Sequence, residues 1–161
     1  MKILNLKPLN FSKFMRFTYQ RLMLKTSLIY LLIGILIGLS MFLSYQFKMF
    51  YWAYSLKAVH THLILIGFVI QMIMGVALWM FPQKPTKETS IEKRFTTEKE
   101  GLMLYILLNI GIILRTLFEP FARTNKLAFY IALVGILFQI VSIFYFLFLI
   151  FPRIRKPGEF K

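Results

Sequence analysis

The sequence contains no cysteine, only two histidines and only six acidic residues among its 161 positions. Without cysteine there are no disulfides, no thiolate metal ligands and no covalently attached c-type haem. Paired carboxylates, a Ser-His-Asp arrangement and a glycine-rich phosphate loop are all absent from the sequence. These absences predict a protein that is not an enzyme, with no catalytic residues and no metal site of its own.

Apolar residues are abundant instead, with 58% of the chain hydrophobic and 17% aromatic. A helix needs about 20 apolar residues to cross a bilayer, and a helix also satisfies its own backbone hydrogen bonds within lipid. Four runs meet this length, the third only narrowly: residues 26–47, 58–81, 102–118 and 127–151. The sequence therefore predicts an all-α, integral-membrane four-helix bundle. The first run starts too late and is too long for a cleaved signal peptide.

The formal net charge is +14, and the basic residues are distributed along the chain in a way that indicates membrane topology. Four spans place the N-terminal segment, the middle loop and the tail on one side, and these carry 15 Lys and Arg against 4 in the other two loops. The positive-inside rule then predicts that both termini are cytoplasmic. We expect a multi-pass protein of a bacterial-type inner membrane. Because topology accounts for the charge, no nucleic-acid partner is expected, and attraction to anionic lipids is a secondary effect.

Three regions lie outside the apolar runs. Residues 1–25 form a basic, aromatic segment that either lies in the membrane interface or simply orients the first span. The middle loop is polar, and Thr97 with Glu100 has the spacing of a capping box before the third span. Residues 152–161 form a basic cytoplasmic tail.

Small and polar residues mark the helix faces that we expect to pack. Gly34 and Gly38 form a G-x-x-x-G spacing in the first span, which lets another backbone approach closely. In the second span, the face of His60 contains Gly67, Gln71 and Gly75, where another helix or a flat cofactor has room to approach. His62 points about 200° away from His60 on a regular helix, so the two cannot bind one metal. It leads an apolar stripe typical of a lipid-facing or partner-facing surface.

The third and fourth spans carry further polar groups. Arg115 is followed by Glu119 at i, i+4, so it either pairs with Glu119 or holds another acidic group such as a haem propionate. Asn109 is a candidate for an interhelical hydrogen bond. In the fourth span, Gln139 and Ser142 lie near one face with Gly135.

The stretch HTHLILIGF, residues 60–68, resembles the second-span region of subunit I of the haem–copper oxidase superfamily. The likeness is to the cytochrome cbb-type oxidases and nitric-oxide reductases: His60-Thr61 and Gly67-Phe68 match, with His62 where the family has Asn. The resemblance implies that His60 is an axial ligand of haem b. The blocks at 60–82, 109–120 and 151–155 are also similar to short four-span relatives of this superfamily.

A complete haem–copper site needs six histidines, and this chain has two. The preferred hypothesis is therefore a non-catalytic accessory subunit of a respiratory electron-transport complex, associated with a terminal oxidase. The alternative is a small b-type haem protein for electron transfer, haem delivery or nitric-oxide response, which uses His60 with Arg115 near a propionate. The other ligand would then be a methionine, water, or a group from a larger subunit or a second copy of the chain. A purely structural or lipid-facing protein is the third possibility.

Overall fold

The computed structural model describes residues 18–48, 51–81 and 98–154, and within these ranges the chain forms helices without any strand. Every one of the four long helices is long and apolar enough to cross a membrane. They are α1 (Thr18–Phe47), α2 (Lys57–Met80), α3 (Glu98–Phe118) and α4 (Lys126–Ile150). The predicted all-helical, four-span membrane architecture is thus confirmed, whereas the orientation of the termini stays a prediction. Thr97 of the expected capping box lies outside the described residues.

The ends of the helices follow from local chemistry. Asn125 caps α4, because its side-chain oxygen accepts hydrogen bonds from the backbone N–H groups of Leu127 (2.9 Å) and Ala128 (3.3 Å). α3 and α4 each pass into a short 3₁₀ turn, Glu119–Phe121 and Phe151–Arg153. Both turns have a proline near their start, which cannot continue the α-helical hydrogen-bond ladder.

The first helix extends further toward the N-terminus than its apolar run. The described part of α1 begins at Thr18, eight residues before the predicted span. Tyr19, Gln20 and Met23 in this extension are buried against other helices. Tertiary packing therefore continues the helix through a segment that hydropathy assigns to the flank. α3, in contrast, ends at Phe118 as predicted.

α1 and α2 form an antiparallel pair along their whole length. The contacts run in register from Gly38 against His60, through Tyr30 against Gly67, to Met23 against Gly75. Each contact is formed at a glycine, where a Cβ would lie within about 3 Å of the opposing side chain. The glycines therefore set how closely the two helices approach.

α3 and α4 form the second antiparallel pair. A Cβ at Gly111 would lie 2.7 Å from the carbonyl oxygen of Gly135, and the Ser142 hydroxyl donates a hydrogen bond to the Leu104 carbonyl oxygen (3.1 Å). The face of α4 that packs here is small or polar and buried: Ala128, Ala132, Gly135, Gln139 and Ser142.

The two helix pairs meet through α2 and α3 around one core. Leu63, Met74, Leu104, Leu108 and Ile112 are almost fully buried in it. α1 begins beside the start of α3, since Tyr19 packs over Gly101, and Phe81 at the end of α2 contacts Arg153 after α4. One end of the bundle therefore holds the start of α1, the end of α2, the start of α3 and the end of α4, as four spans require.

The middle of α2 is not a regular α-helix. Residues Leu63–Ile70 form a π-helical segment between the α-helical parts Lys57–His62 and Gln71–Met80. The Gln71 N–H accordingly reaches the carbonyl oxygen of Ile66, five residues back. Such segments alter the helical phase and are frequent at functional sites. Here the segment carries Gly67, on which Tyr30 of α1 packs.

Candidate functional site: polar contacts between the helices

His60 joins α2 to α1. Its Nδ1 lies 2.8 Å from the carbonyl oxygen of Gly34, and its ring packs over Gly38, where a Cβ would lie 2.8 Å from Cε1. A carbonyl oxygen only accepts, so Nδ1 carries the proton and donates it. Among the residues that the structure describes, Nε2 has no hydrogen-bond partner, and it is the unprotonated nitrogen of a half-buried ring.

α1 also covers the rest of the His60 face. Gln71 donates from Nε2 to the Met23 carbonyl oxygen (3.2 Å) and to the hydroxyl of Thr26, while its Oε1 is buried without a hydrogen bond. Gly67 and Gly75 lie against Tyr30 and Met23. The face of α2 that contains His60 was predicted to receive either another helix or a flat cofactor. At Gly67, Gln71 and Gly75 this face is covered by α1 of the same chain.

A hydrogen bond at mid-span joins the two helix pairs. The Tyr30 hydroxyl of α1 donates to Oδ1 of Asn109 in α3 at 2.7 Å, and Asn109 Nδ2 donates to the Tyr105 carbonyl oxygen at 2.8 Å. The interhelical role predicted for Asn109 is confirmed. Tyr30 was not predicted, although it stands one helical turn before Gly34 on the face marked by the glycines.

Arg115, in the last turn of α3, lies at the centre of a charged cluster. Its Nε and Nη2 donate to the two carboxylate oxygens of Glu119 at 3.0 and 3.3 Å, and Nη1 donates to Oε1 of Gln139 at 3.3 Å. The predicted Arg115–Glu119 pair is present. Gln139 reaches Arg115 because Gly111 and Gly135 bring α3 and α4 together one turn away.

His62 belongs to the same cluster. Its Nε2 lies 3.7 Å from Oε1 of Glu119, its side chain is 22% exposed, and Nδ1 is buried without a hydrogen bond. His62 was predicted only to lead an apolar stripe that faces lipid or a partner, and its contact with Glu119 was not predicted. The two-residue spacing of His60 and His62 turns them toward different helices, so His60 contacts α1 and His62 contacts the end of α3.

A further buried cation lies at the opposite end of the bundle. Arg153, in the turn after α4, is 2% exposed and donates from Nη1 to the Phe81 carbonyl oxygen at 3.5 Å. Its Nε and Nη2 are buried without a hydrogen bond. The amide of Gln20, at the same end, also has both of its polar atoms buried and unbonded. From the sequence, Arg153 was interpreted only as one of the basic residues that set the orientation of the chain in the membrane.

These positions test how well the residues fit the haem that the resemblance implies. His60 fits one axial ligand, because a ligating histidine normally donates its other ring N–H to a carbonyl and so directs Nε2 at the metal. A second histidine ligand does not fit, since His62 turns to Glu119. The Arg115 guanidinium has a carboxylate partner within the chain, so its charge is balanced without a propionate.

Among the described residues, no group of three or more His, Cys, Asp or Glu side chains is placed to hold a metal ion. No protein-family model, curated protein or solved structure matches the chain. The fold alone therefore defines the class, and this class is a multi-pass helical membrane protein whose polar groups mainly join its own helices.

Proposed function

We propose that this chain is a non-catalytic integral-membrane subunit that packs laterally against the larger membrane subunits of a respiratory electron-transport complex. The complex favoured by the resemblance of HTHLILIGF is one with a terminal haem–copper oxidase. The chain would lie in a bacterial cytoplasmic membrane. Both of its termini would lie in the cytoplasm, as the distribution of Lys and Arg predicts.

The proposal that the chain packs laterally against other subunits rests on the exposure of α1 and α4. Only 11% of the most apolar window of α1 is buried within the chain. α4 buries a small-residue face on α3 and leaves an opposite face of large aromatic residues uncovered, including Phe144 and Phe148 at 68 and 74% exposure. Lipid also covers such faces, so the experiment must separate lipid from a protein partner.

The test is purification of the tagged chain from its native membrane in a mild detergent, with identification of the proteins that accompany it. We expect oxidase subunits in the wild-type sample. They should be lost from the Phe144→Ala, Phe148→Ala variant, because alanine stays compatible with lipid but removes the contact surface. A chain that migrates unchanged on a native gel when the oxidase is deleted would overturn the proposal.

A second candidate is a b-type haem protein, and the geometry of His60 favours it specifically. Nδ1 is held by the Gly34 carbonyl oxygen, so Nε2 is fixed in tautomer and orientation as a ligand would be. A methionine, water, a second copy of the chain or a larger subunit would supply the second ligand. Haem would add redox chemistry, and the chain would orient it through His60.

The optical spectrum tests this second candidate. A Soret band in protein purified with its partners, lost in His60→Ala and kept in His62→Ala, supports it. A colourless protein with no haem by pyridine haemochrome assay contradicts it and leaves the accessory role untouched.

A further inference from the structure

Arg153 has an unused pair of adjacent donors. Its only hydrogen bond among the described residues is the long one from Nη1 to the Phe81 carbonyl oxygen, at 3.5 Å. Nε and Nη2, which share one edge of the guanidinium plane, are buried and have no hydrogen bond. Arginine keeps its charge in proteins, so this edge presents a cation with unmet donors.

A buried charge of this kind requires a counter-ion. Taking a guanidinium out of water is unfavourable unless an anion and hydrogen bonds replace the lost solvent. The free edge offers two parallel N–H groups, and this geometry matches two oxygens of a phosphate or carboxylate. The geometry therefore specifies an oxyanion with at least two accepting oxygens.

The surroundings of Arg153 indicate what kind of oxyanion fits. Arg153 lies at the end of a membrane-length helix, where lipid headgroups are found. Phe81, Phe151 and Ile154 adjoin it and are 41, 66 and 54% exposed. A charged site flanked by exposed apolar side chains suits an amphiphile better than a small hydrated anion.

The charge of this end of the bundle agrees with an anionic lipid. In the sequence, the N-terminal segment, the middle loop and the tail, which connect to the helices at this end, carry 15 of the 20 Lys and Arg residues. A basic surface at a membrane boundary concentrates anionic phospholipids. Tyr19 and Glu100 lie close enough to Arg153 to interact with it electrostatically, so the Glu100 carboxylate is the partner within the chain from which a lipid phosphate must be distinguished.

We propose that the free Nε–Nη2 edge of Arg153 binds the phosphate oxygens of an anionic phospholipid, whose acyl chains lie along Phe81, Phe151 and Ile154. The bound lipid then joins the two helix pairs at this end. This site is independent of whether the chain belongs to a respiratory complex.

Thermal unfolding of the delipidated full chain in detergent tests the proposal. We expect phosphatidylglycerol to raise the melting temperature of the wild type, and phosphatidylcholine to raise it much less. Arg153→Gln should lose the response to phosphatidylglycerol. Arg123→Gln is the matched control, since Arg123 is an exposed arginine in the loop at the opposite end, and it should respond as the wild type does. An unchanged response in Arg153→Gln would overturn the proposal.

Two further arms separate the other sources of an oxyanion. Inorganic phosphate alone should give little stabilisation, and a shift as large as that of the lipid would overturn the lipid assignment. The second arm tests Glu100 as the partner of Arg153. In that case Glu100→Gln will remove the stability that Arg153 contributes, and added lipid will not raise the melting temperature of the wild type. This result would also overturn the lipid site.

A third arm covers the case in which Arg153→Gln does not fold. Arg153→Lys keeps the charge but replaces the two-donor edge with a point charge. Native mass spectrometry should then show less retained phosphatidylglycerol than in the wild type, and equal retention would overturn the bidentate site.

Discussion

Gly111 and Gly135 approach each other reciprocally. A Cβ at Gly111 would lie 2.7 Å from the carbonyl oxygen of Gly135, and a Cβ at Gly135 would lie 2.9 Å from the carbonyl oxygen of Gly111. Both opposing atoms belong to the backbone and cannot turn aside as a side chain can. The contact therefore fixes the separation of α3 and α4, and with it the hydrogen bond between Arg115 and Gln139.

The first prediction concerns this contact. Gly111→Ala should destabilise the chain by about 1–3 kcal/mol, as overpacking against an immovable group does. Unfolding in detergent with increasing SDS, followed by circular dichroism, measures the change.

Gly34→Ala is the control for the first prediction. Its added methyl group meets the far end of the Ile64 side chain, which can adopt another rotamer. We therefore expect a much smaller loss than for Gly111→Ala. Equal losses for the two variants would show that backbone contact between α3 and α4 is not what limits their approach.

The second prediction concerns Tyr30 and Asn109, whose hydrogen bond crosses between the helix pairs. Tyr30→Phe should cost about 0.6 kcal/mol and at most about 1.7, the range for hydrogen bonds between membrane helices. A double-mutant cycle with Asn109→Ala isolates the pair, and we expect a coupling energy of that size. Additive effects would mean that the two side chains act independently.

Membrane spans, their number and the C-terminal end of α3 were predictable because they depend on apolar length and on proline, which are local properties. The packing role of Asn109 was predictable for a similar reason, since an amide in a span needs a partner. Tyr30 was not singled out, because a tyrosine in an apolar run is equally at home in lipid. The identity of its partner depends on the relative positions of three helices, which no single run contains.

The two histidines show a different limit. Helical spacing correctly separates His60 from His62, but it gave His62 only an apolar stripe that faces lipid or a partner, and did not predict its contact with Glu119. The structure places Glu119 beside it because α3 ends in a 3₁₀ turn that presents this carboxylate to the start of α2. A contact between the ends of two helices depends on loop geometry, and periodicity within one helix carries no information about it.

The third prediction concerns orientation, for which the absence of cysteine is useful because any introduced thiol is unique. Arg123 and Lys99 are exposed at opposite ends of the bundle. The positive-inside rule predicts that a membrane-impermeant maleimide labels Arg123→Cys in intact spheroplasts and labels Lys99→Cys only after permeabilisation. The reverse pattern would contradict the cytoplasmic placement of both termini.

The last prediction concerns Arg115 and Glu119, which form two hydrogen bonds and an ion pair within one helical turn. Glu119→Leu leaves the guanidinium of Arg115 without a carboxylate and should destabilise the chain by about 1–3 kcal/mol. The loss should stay below the roughly 3–5 kcal/mol of a fully buried pair, because the two side chains are 15 and 23% exposed. The double variant Arg115→Leu, Glu119→Leu removes both charges and should be more stable than Glu119→Leu alone, since no uncompensated cation remains. SDS unfolding of the wild type and the three variants, including Arg115→Leu, measures this order. If the double variant is the least stable of the four, the cluster stabilises the bundle through the favourable pair itself rather than by neutralising a buried arginine.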